Sequence, residues 1–395
     1  MLQNNNNNEN NQNISPKNNQ NNQQIPLNQE GNLLNNKREN SSEDQYSFSN
    51  YTKPAKTRLK DLSDTSYLNS VLYCLSNIRN IVSYFLNPDN FKIIDNNIKT
   101  MSLCFVFERL IYHLYEKDNK EENIYSPESF WKVLSKLNNT YKTLQMRNPV
   151  DLINYLLSVL HNELNKENKE IVLINENNGD KKQVIKNGVK NFKNKENSII
   201  SNNLNWFELK EYICQKCKKN FFDFLTFTTF NLDLESTQNL IKDNKINIYD
   251  CLKSYNEAKK INFYCKNCNA NENIVCNSKI FLTSHSLIFL LNREIDLSQN
   301  NKLLKIKFNI DEKIDLNNFI ENDHSPKKYR LIGVISIYLK EKRYVNFCQS
   351  PIDKKWYFYN NEKKVEDIYL EHVLKVHNKE ENEFIPTALV YKECK

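Results

Sequence analysis

"DTSYLNSVLYCL" (residues 64–75) reads as the start of a helix that runs into a core. Leu68, Val71, Leu72 and Leu75 recur at helical spacing. Asp64 and Thr65 offer side-chain oxygens to the unpaired N–H groups of its first turn. That turn is also a seat for chemistry, because a helix N-terminus favours negative charge and lowers the pKa of a thiol placed there. The residue in the seat is Ser66. It reads three ways: as a nucleophile, as a cap, or as the remnant of a lost group.

Upstream of this helix, residues 1–56 are rich in Asn, Gln, Ser and charge, with runs such as "QNNNNNENNQN" (3–13). Such sequence cannot bury enough apolar surface to offset its ordering entropy, so a disordered low-complexity tail is expected. Four glycines in 395 residues leave no Gly-rich phosphate loop. The net charge of +7 is mild. The Lys-rich run "KKQVIKNGVKNFKNK" (181–195) reads as a solvated insertion and only weakly suggests nucleic acid. Residues 1–15 hold no apolar run, and no stretch approaches the roughly 18 apolar residues of a membrane span. The expectation is a soluble intracellular protein of cytoplasm or nucleus. There, ten cysteines read as thiols and metal ligands rather than disulfides.

From 57 to 165 the periodicity is helical. "MSLCFVFERLIYHLYE" (101–116) places Leu103, Val106, Phe107, Leu110 and Leu114 on one face. "SPESFWKVLSKL" (126–137) offers Ser126 as cap and Pro127 at the first helical position. "NPVDLINYLLSVLHNEL" (148–164) repeats the device with Asn148 and Pro149, and Ile153, Leu156, Leu157, Leu160 and Leu164 form its apolar stripe. Residues 166–204 turn polar and read as an insertion. Beyond them the pattern becomes β, in "FFDFLTFTTFNLDL" (221–234), "SLIFLLNREI" (286–295), "KYRLIGVISIYL" (328–339), "RYVNFCQS" (343–350), "KWYFYNN" (355–361) and "PTALVYKE" (386–393). Helices first and strands later make an α+β class.

Cys214 and Cys217 form one CxxC, and Cys265 and Cys268 another. Each pair fits a β-turn, and four thiolates suit a tetrahedral structural Zn²⁺. The other six cysteines lack partner spacing and read as ordinary thiols.

Taken in order, these segments resemble the ubiquitin-specific protease family. "RLKDLSDTSYLNS" (58–70) lies on the family's GLxNxGNTCYMNS-type motif and matches it at Leu59, Thr65, Tyr67, Asn69 and Ser70. The paired CxxC matches its fingers. "SLIFLLNRE" resembles its LxLxLKRF strand and keeps Arg293; "YRLIGVIS" resembles YxLxGVxxH, "KRYVNFCQS" stands at GHYxxY, "WYFYNN" at WxxFDD, and "ALVYKE" at the closing strand. The resemblance runs from 57 to 395. It implies a papain-like fold with a helical thumb (57–165), a polar insertion (166–204), zinc-binding fingers (205–280) and palm strands (281–395). It also implies a surface for ubiquitin.

The same alignment implies that the chemistry has changed. The family's nucleophilic Cys falls on Ser66, its oxyanion Asn on Asp61, its base His on Arg343 and its orienting Asp or Asn on Asn360. A guanidinium stays protonated and cannot serve as a base. A carboxylate offers acceptors where an oxyanion needs donors. The expectation is a pseudo-protease that binds ubiquitin, a ubiquitin-like protein or another protein partner without hydrolysis, with a salt bridge from Arg343 to Asp61 closing the cleft. The alternatives are an active protease with a non-standard mechanism and a scaffold in an RNA–protein assembly, since spliceosomes contain an inactive member of the family.

Overall fold

The computed structural model describes residues 51, 53–90, 102–116, 123–166, 180–243, 245–293, 306–322, 324–379 and 383–394. The helical part holds α1 (Ser66–Leu75), α2 (Arg79–Phe85), α3 (Leu103–Tyr115), α4 (Glu128–Leu137) and α5 (Pro149–Leu164). α1 is buried along its whole length, so it is a central strut rather than an amphipathic surface helix. In α5, Asn148 Oδ1 accepts from the Val150 N–H and Pro149 takes the first turn, as the sequence indicated. α4 departs by one residue: Pro127 stands at the N-cap, so the expected cap Ser126 lies outside the helix, and no side chain caps it. The core also reaches further upstream than residue 57. Ala55 is fully buried, and Tyr51 packs against the helical core. The rest of the expected tail falls outside the described residues.

Two larger sheets follow, beside two short two-stranded pairs among the described residues. The largest is built from β3 (Phe230–Leu232), β6 (Ser286–Leu291), β7 (Lys313–Asp315), β8 (Lys328–Tyr338), β9 (Arg343–Gln349), β10 (Trp356–Tyr359), β11 (Glu366–Ile368) and β12 (Phe384–Glu393). It runs in the order β11-β10-β9-β8-β12-β6-β3, with β7 also paired to β8. Both faces are covered, which is why β6 reads as an unbroken apolar run. Ile288 and Leu290 face the helical core, while Leu287, Phe289 and Leu291 face a second core. In β9, Asn346 Nδ2 donates to the Ser70 carbonyl of α1 at 2.7 Å, fastening the sheet to the strut. Arg293 is buried at the edge of this layer and donates to the carbonyls of Pro386 and Ile306.

The smaller sheet is antiparallel, in the order β2-β1-β5-β4, from β1 (Trp206–Cys214), β2 (Asn220–Phe227), β5 (Ala270–Leu282) and β4 (Lys259–Cys265). β4 is an outer strand. These are the fingers, but they are not the continuous block 205–280. β3 joins the large sheet parallel to β6. It shares the second core with α8 (Leu234–Ile241) and α9 (Ile248–Asn256) through Leu232, Leu234, Ile248 and Leu252. Phe230–Asn256 therefore belongs with the palm.

The polar stretch 166–204 is likewise no solvated insertion where it is described. Asp180 caps α6 (Lys181–Lys195), and α7 (Ile199–Leu204) follows. Val184, Ile185, Val189 and Phe192 of α6 are buried against Phe207, Leu209, Phe222 and Phe281 of the fingers. Gly188 permits the close approach: a Cβ there would run into the Phe224 ring at Cδ1. Four apolar residues scattered among lysines and asparagines left too thin a stripe to read as a docked helix.

Candidate functional site

Ser66 opens α1 and is almost fully buried. Its Oγ accepts a hydrogen bond from the Tyr344 backbone N–H at 3.1 Å. The preceding loop is strained, with Ser63 at φ 95° and Asp64 at φ 36°, a region that glycine enters at little cost and other residues do not. Ser63 stands where the resembled motif carries glycine. Thr65 occupies the N-cap position of α1, but neither its side chain nor that of Asp64 caps the helix. Thr65 instead accepts from the Leu62 N–H at 2.9 Å and donates through Oγ1 to Asp61 Oδ1 at 3.0 Å.

Asp61 is the hub of this loop. Oδ1 also accepts from the Thr65 N–H at 3.0 Å, and Oδ2 accepts from Asn361 Nδ2 at 3.2 Å. Asn361 Oδ1 in turn accepts from Asn69 Nδ2 at 3.0 Å. The carboxylate is thus used as an acceptor for local donors. The Asn361 amide has both of its ends engaged, one on the loop and one on α1.

The expected Arg343–Asp61 salt bridge does not form. Arg343 pairs with Glu341 at 3.4 Å, two residues earlier in the turn that opens β9. Lys363 pairs with the same carboxylate, and Asn360 Nδ2 donates to it at 3.2 Å. Burial raises the Glu341 pKa, but Lys363, Asn360 and Arg343 outweigh it and hold the group below its ordinary value. Asp61 and Arg343 do line one open polar pocket, together with Ser63, Asp64, Asn361, Glu362 and Lys363. Within it each charge has a nearer partner than the other.

Chemically, Ser66 has a hydroxyl at a helix start and no imidazole bonded to it. His161 binds Ser198 and Glu196, His285 binds Glu393 and His377 binds Ser336, all away from Ser66. Arg343 and Asn360 converge on Glu341 rather than on Ser66.

At the far end of the fingers, Cys214, Cys217, Cys265 and Cys268 bring their sulfurs within 4.8 Å of one another. Two matched hairpins, β1–β2 and β4–β5, deliver them, each with a left-handed residue just after the second cysteine (Lys218 and Asn269). The Cys214–Cys268 and Cys217–Cys265 sulfur separations are 3.8 and 3.7 Å. A tetrahedral ZnS₄ unit with Zn–S near 2.3 Å has sulfurs about 3.75 Å apart, so the donor set fits zinc. The backbone N–H of Lys219 pulls the Cys217 thiol down to about 6, while burial and the neighbouring sulfurs push that of Cys268 up to about 12, so the four sulfurs hold their protons unequally.

A papain-like mixed fold, a helix start at Ser66 and a Cys₄ fingers cluster define the class, and the comparisons with known proteins agree. The family model for ubiquitin carboxyl-terminal hydrolase matches residues 57–386, and the chain belongs to that family. Ubiquitin carboxyl-terminal hydrolase 4 of Saccharomyces cerevisiae is 20% identical over 353 residues, covering 80% of this chain and 37% of the relative. The chain thus spans well under half the length of that relative. Among solved structures, the SAGA DUB module of Ubp8, Sgf11, Sus1 and Sgf73 bound to monoubiquitin superimposes with a TM-score of 0.62. It has 18% identity and covers 87% of this chain and 70% of that one. The same module bound to ubiquitin aldehyde gives 0.61 at 17% identity, covering 87% and 71%. At these identities the likeness establishes the fold.

Proposed function

We propose that this chain is a pseudo-protease: a ubiquitin carboxyl-terminal hydrolase fold that recognises ubiquitin, a ubiquitin-like protein or another protein partner without hydrolysing it. The observation that carries the reading is the Ser66–Tyr344 hydrogen bond. It occupies the hydroxyl in the nucleophile's seat with a backbone donor, while Arg343 holds the place of the base. Triad catalysis needs a nucleophile, a base within hydrogen-bond reach and an oxyanion donor. Here the hydroxyl faces a donor, the cation pairs with Glu341 and Asp61 is spent on the loop. Removing nucleophile or base from such a triad costs about 10⁶ in turnover. The fingers cluster supports a structural Zn²⁺ held by Cys214, Cys217, Cys265 and Cys268, with no open position for a substrate.

Ubiquitin is the first partner to test, because the similar solved modules carry it. Titration of ¹⁵N-labelled ubiquitin with the chain is expected to shift a contiguous set of resonances. A ubiquitin–fluorophore substrate is expected to stay uncleaved beyond the rate of buffer. Hydrolysis that disappears on Ser66→Ala would establish the active reading instead. No shift at high micromolar concentration would remove ubiquitin and leave another protein as the partner.

A further inference from the structure

The Lys-rich helix α6 is explained by its buried face but not by its exposed one. Six lysines and no acidic residue lie within 181–195. Lys182, Lys186 and Lys190 are exposed and repeat every four residues, which sets them about 6 Å apart along one ridge. Like charges at this spacing oppose each other, and a cation in the first helical turn opposes the helix dipole. Lys181, beside them, is neutralised by Glu321. The three ridge lysines meet no carboxylate among the described residues. The face of the sheet that α6 covers carries two further lysines, with Glu211 on the same face held by the amides of Asn220 and Asn277. Lys279 pairs in register with Leu209 and Lys260 with Val275, so both project from the same face as the residues beneath α6. Both are exposed.

We propose that this ridge is a docking surface for the phosphate backbone of nucleic acid. A line of separated cations matches an array of anions rather than a single one. Amides stand between them, Gln183 and Asn187 among them, of the kind that bond to phosphate and sugar. A lipid surface is the poorer fit. A membrane-binding helix needs its apolar face free, and that of α6 is already buried against Phe207, Leu209, Phe222 and Phe281. The surface is on the fingers and shares no residue with the Ser66 site, and the proposal stands or falls apart from the function proposed above.

The test is fluorescence anisotropy of a fluorescein-labelled 20-nucleotide oligouridine RNA from 50 to 200 mM KCl. Binding is expected to weaken with salt, and three phosphate contacts contribute about −2 to the log–log slope. The triple variant Lys182→Gln/Lys186→Gln/Lys190→Gln is expected to bind at least tenfold more weakly at 100 mM KCl and to flatten the slope by about that amount. Its thermal unfolding should match that of the unaltered chain, because no folded contact is lost. Absence of binding at 50 mM KCl overturns the proposal, as does a triple variant with unchanged affinity and slope. Displacement of the RNA by poly-glutamate at equal charge concentration also overturns it, in favour of an acidic protein. Co-sedimentation with phosphatidylserine vesicles that the triple variant loses would do so in favour of a membrane.

Discussion

The Tyr344 N–H donates to Ser66 Oγ at 3.1 Å, so the strand that follows Arg343 is stitched directly onto the start of α1. Restoring a thiol alone would replace the oxygen of this stitch with a weakly accepting sulfur and leave Arg343 where the resembled motif carries an imidazole. Ser66→Cys is therefore expected to show no ubiquitin–fluorophore hydrolysis above buffer. If the single variant turned over substrate, a base outside the family's position would be in use.

Ser63 holds φ 95° next to that stitch, with its side chain exposed. Relief of a left-handed non-glycine residue is worth on the order of 1 kcal/mol. Ser63→Gly is expected to raise the unfolding free energy by that amount, read as a higher urea midpoint at an unchanged denaturant slope. A lower midpoint would mean that the folded loop gains from the serine.

Gly188 behaves oppositely. A Cβ there meets Phe224 at Cδ1, Cγ and Cβ, the last at 3.0 Å, so rotating the ring does not clear the clash. Gly188→Ala raises helix propensity by about 1 kcal/mol, yet overpacking of this kind costs about 1–3 kcal/mol. Net destabilisation is expected, read as a lower melting temperature. A rise would show that α6 can lift from the sheet at no cost.

Buried His377 has its pKa lowered from 6.5 to about 4, by burial first, with His372 adding to it against a hydrogen bond to Val373. The folded chain keeps it neutral, whereas the unfolded chain takes up a proton below 6.5. The unfolded state then binds more protons, so stability falls as pH drops from 6.5 toward 4 and this contribution levels off below that. The loss is up to about 3 kcal/mol. Urea unfolding at pH 7 and pH 4.5 should show it, and His377→Gln should lose that share of the slope. Parallel pH dependences would assign the slope to other groups.

For the fingers, stoichiometric zinc is expected by elemental analysis, and removing it with a strong chelator should unfold the fingers hairpins. Cys265→Ser should bind zinc more weakly without altering the fluorescence of Trp131, which lies in the helical part. A metal-free chain with unchanged hairpins would show that Ile274 and its neighbours suffice to hold the tip.

Much of this architecture is legible in local pattern. Asn148–Pro149 announces α5, and the apolar runs announce β6, β8, β9 and β12, because caps and periodicity are short-range. The four-cysteine spacing carried the cluster for the same reason. Pairings set by distant partners stayed hidden. Nothing local says that Phe230–Leu232 leaves the fingers for a parallel place beside β6. At the cleft, Asp61 invited a partner across the gap, yet Arg343 found Glu341 in its own turn, where the tether is shortest. The α6 stripe was lost because half of its helical face is Lys and Asn, and only the aromatic sheet beneath explains the other half.

Among the described residues, the outer strand β4 (Lys259–Cys265) pairs along one edge only, and it carries the half-exposed Phe263 and Tyr264. Such a margin is a template on which a second chain can grow. Lys259 and Lys260 stand at one end, and Lys266 lies just past the other. Their charge makes stacking of two copies repulsive, so the fingers carry their own gatekeepers against fibre-like association.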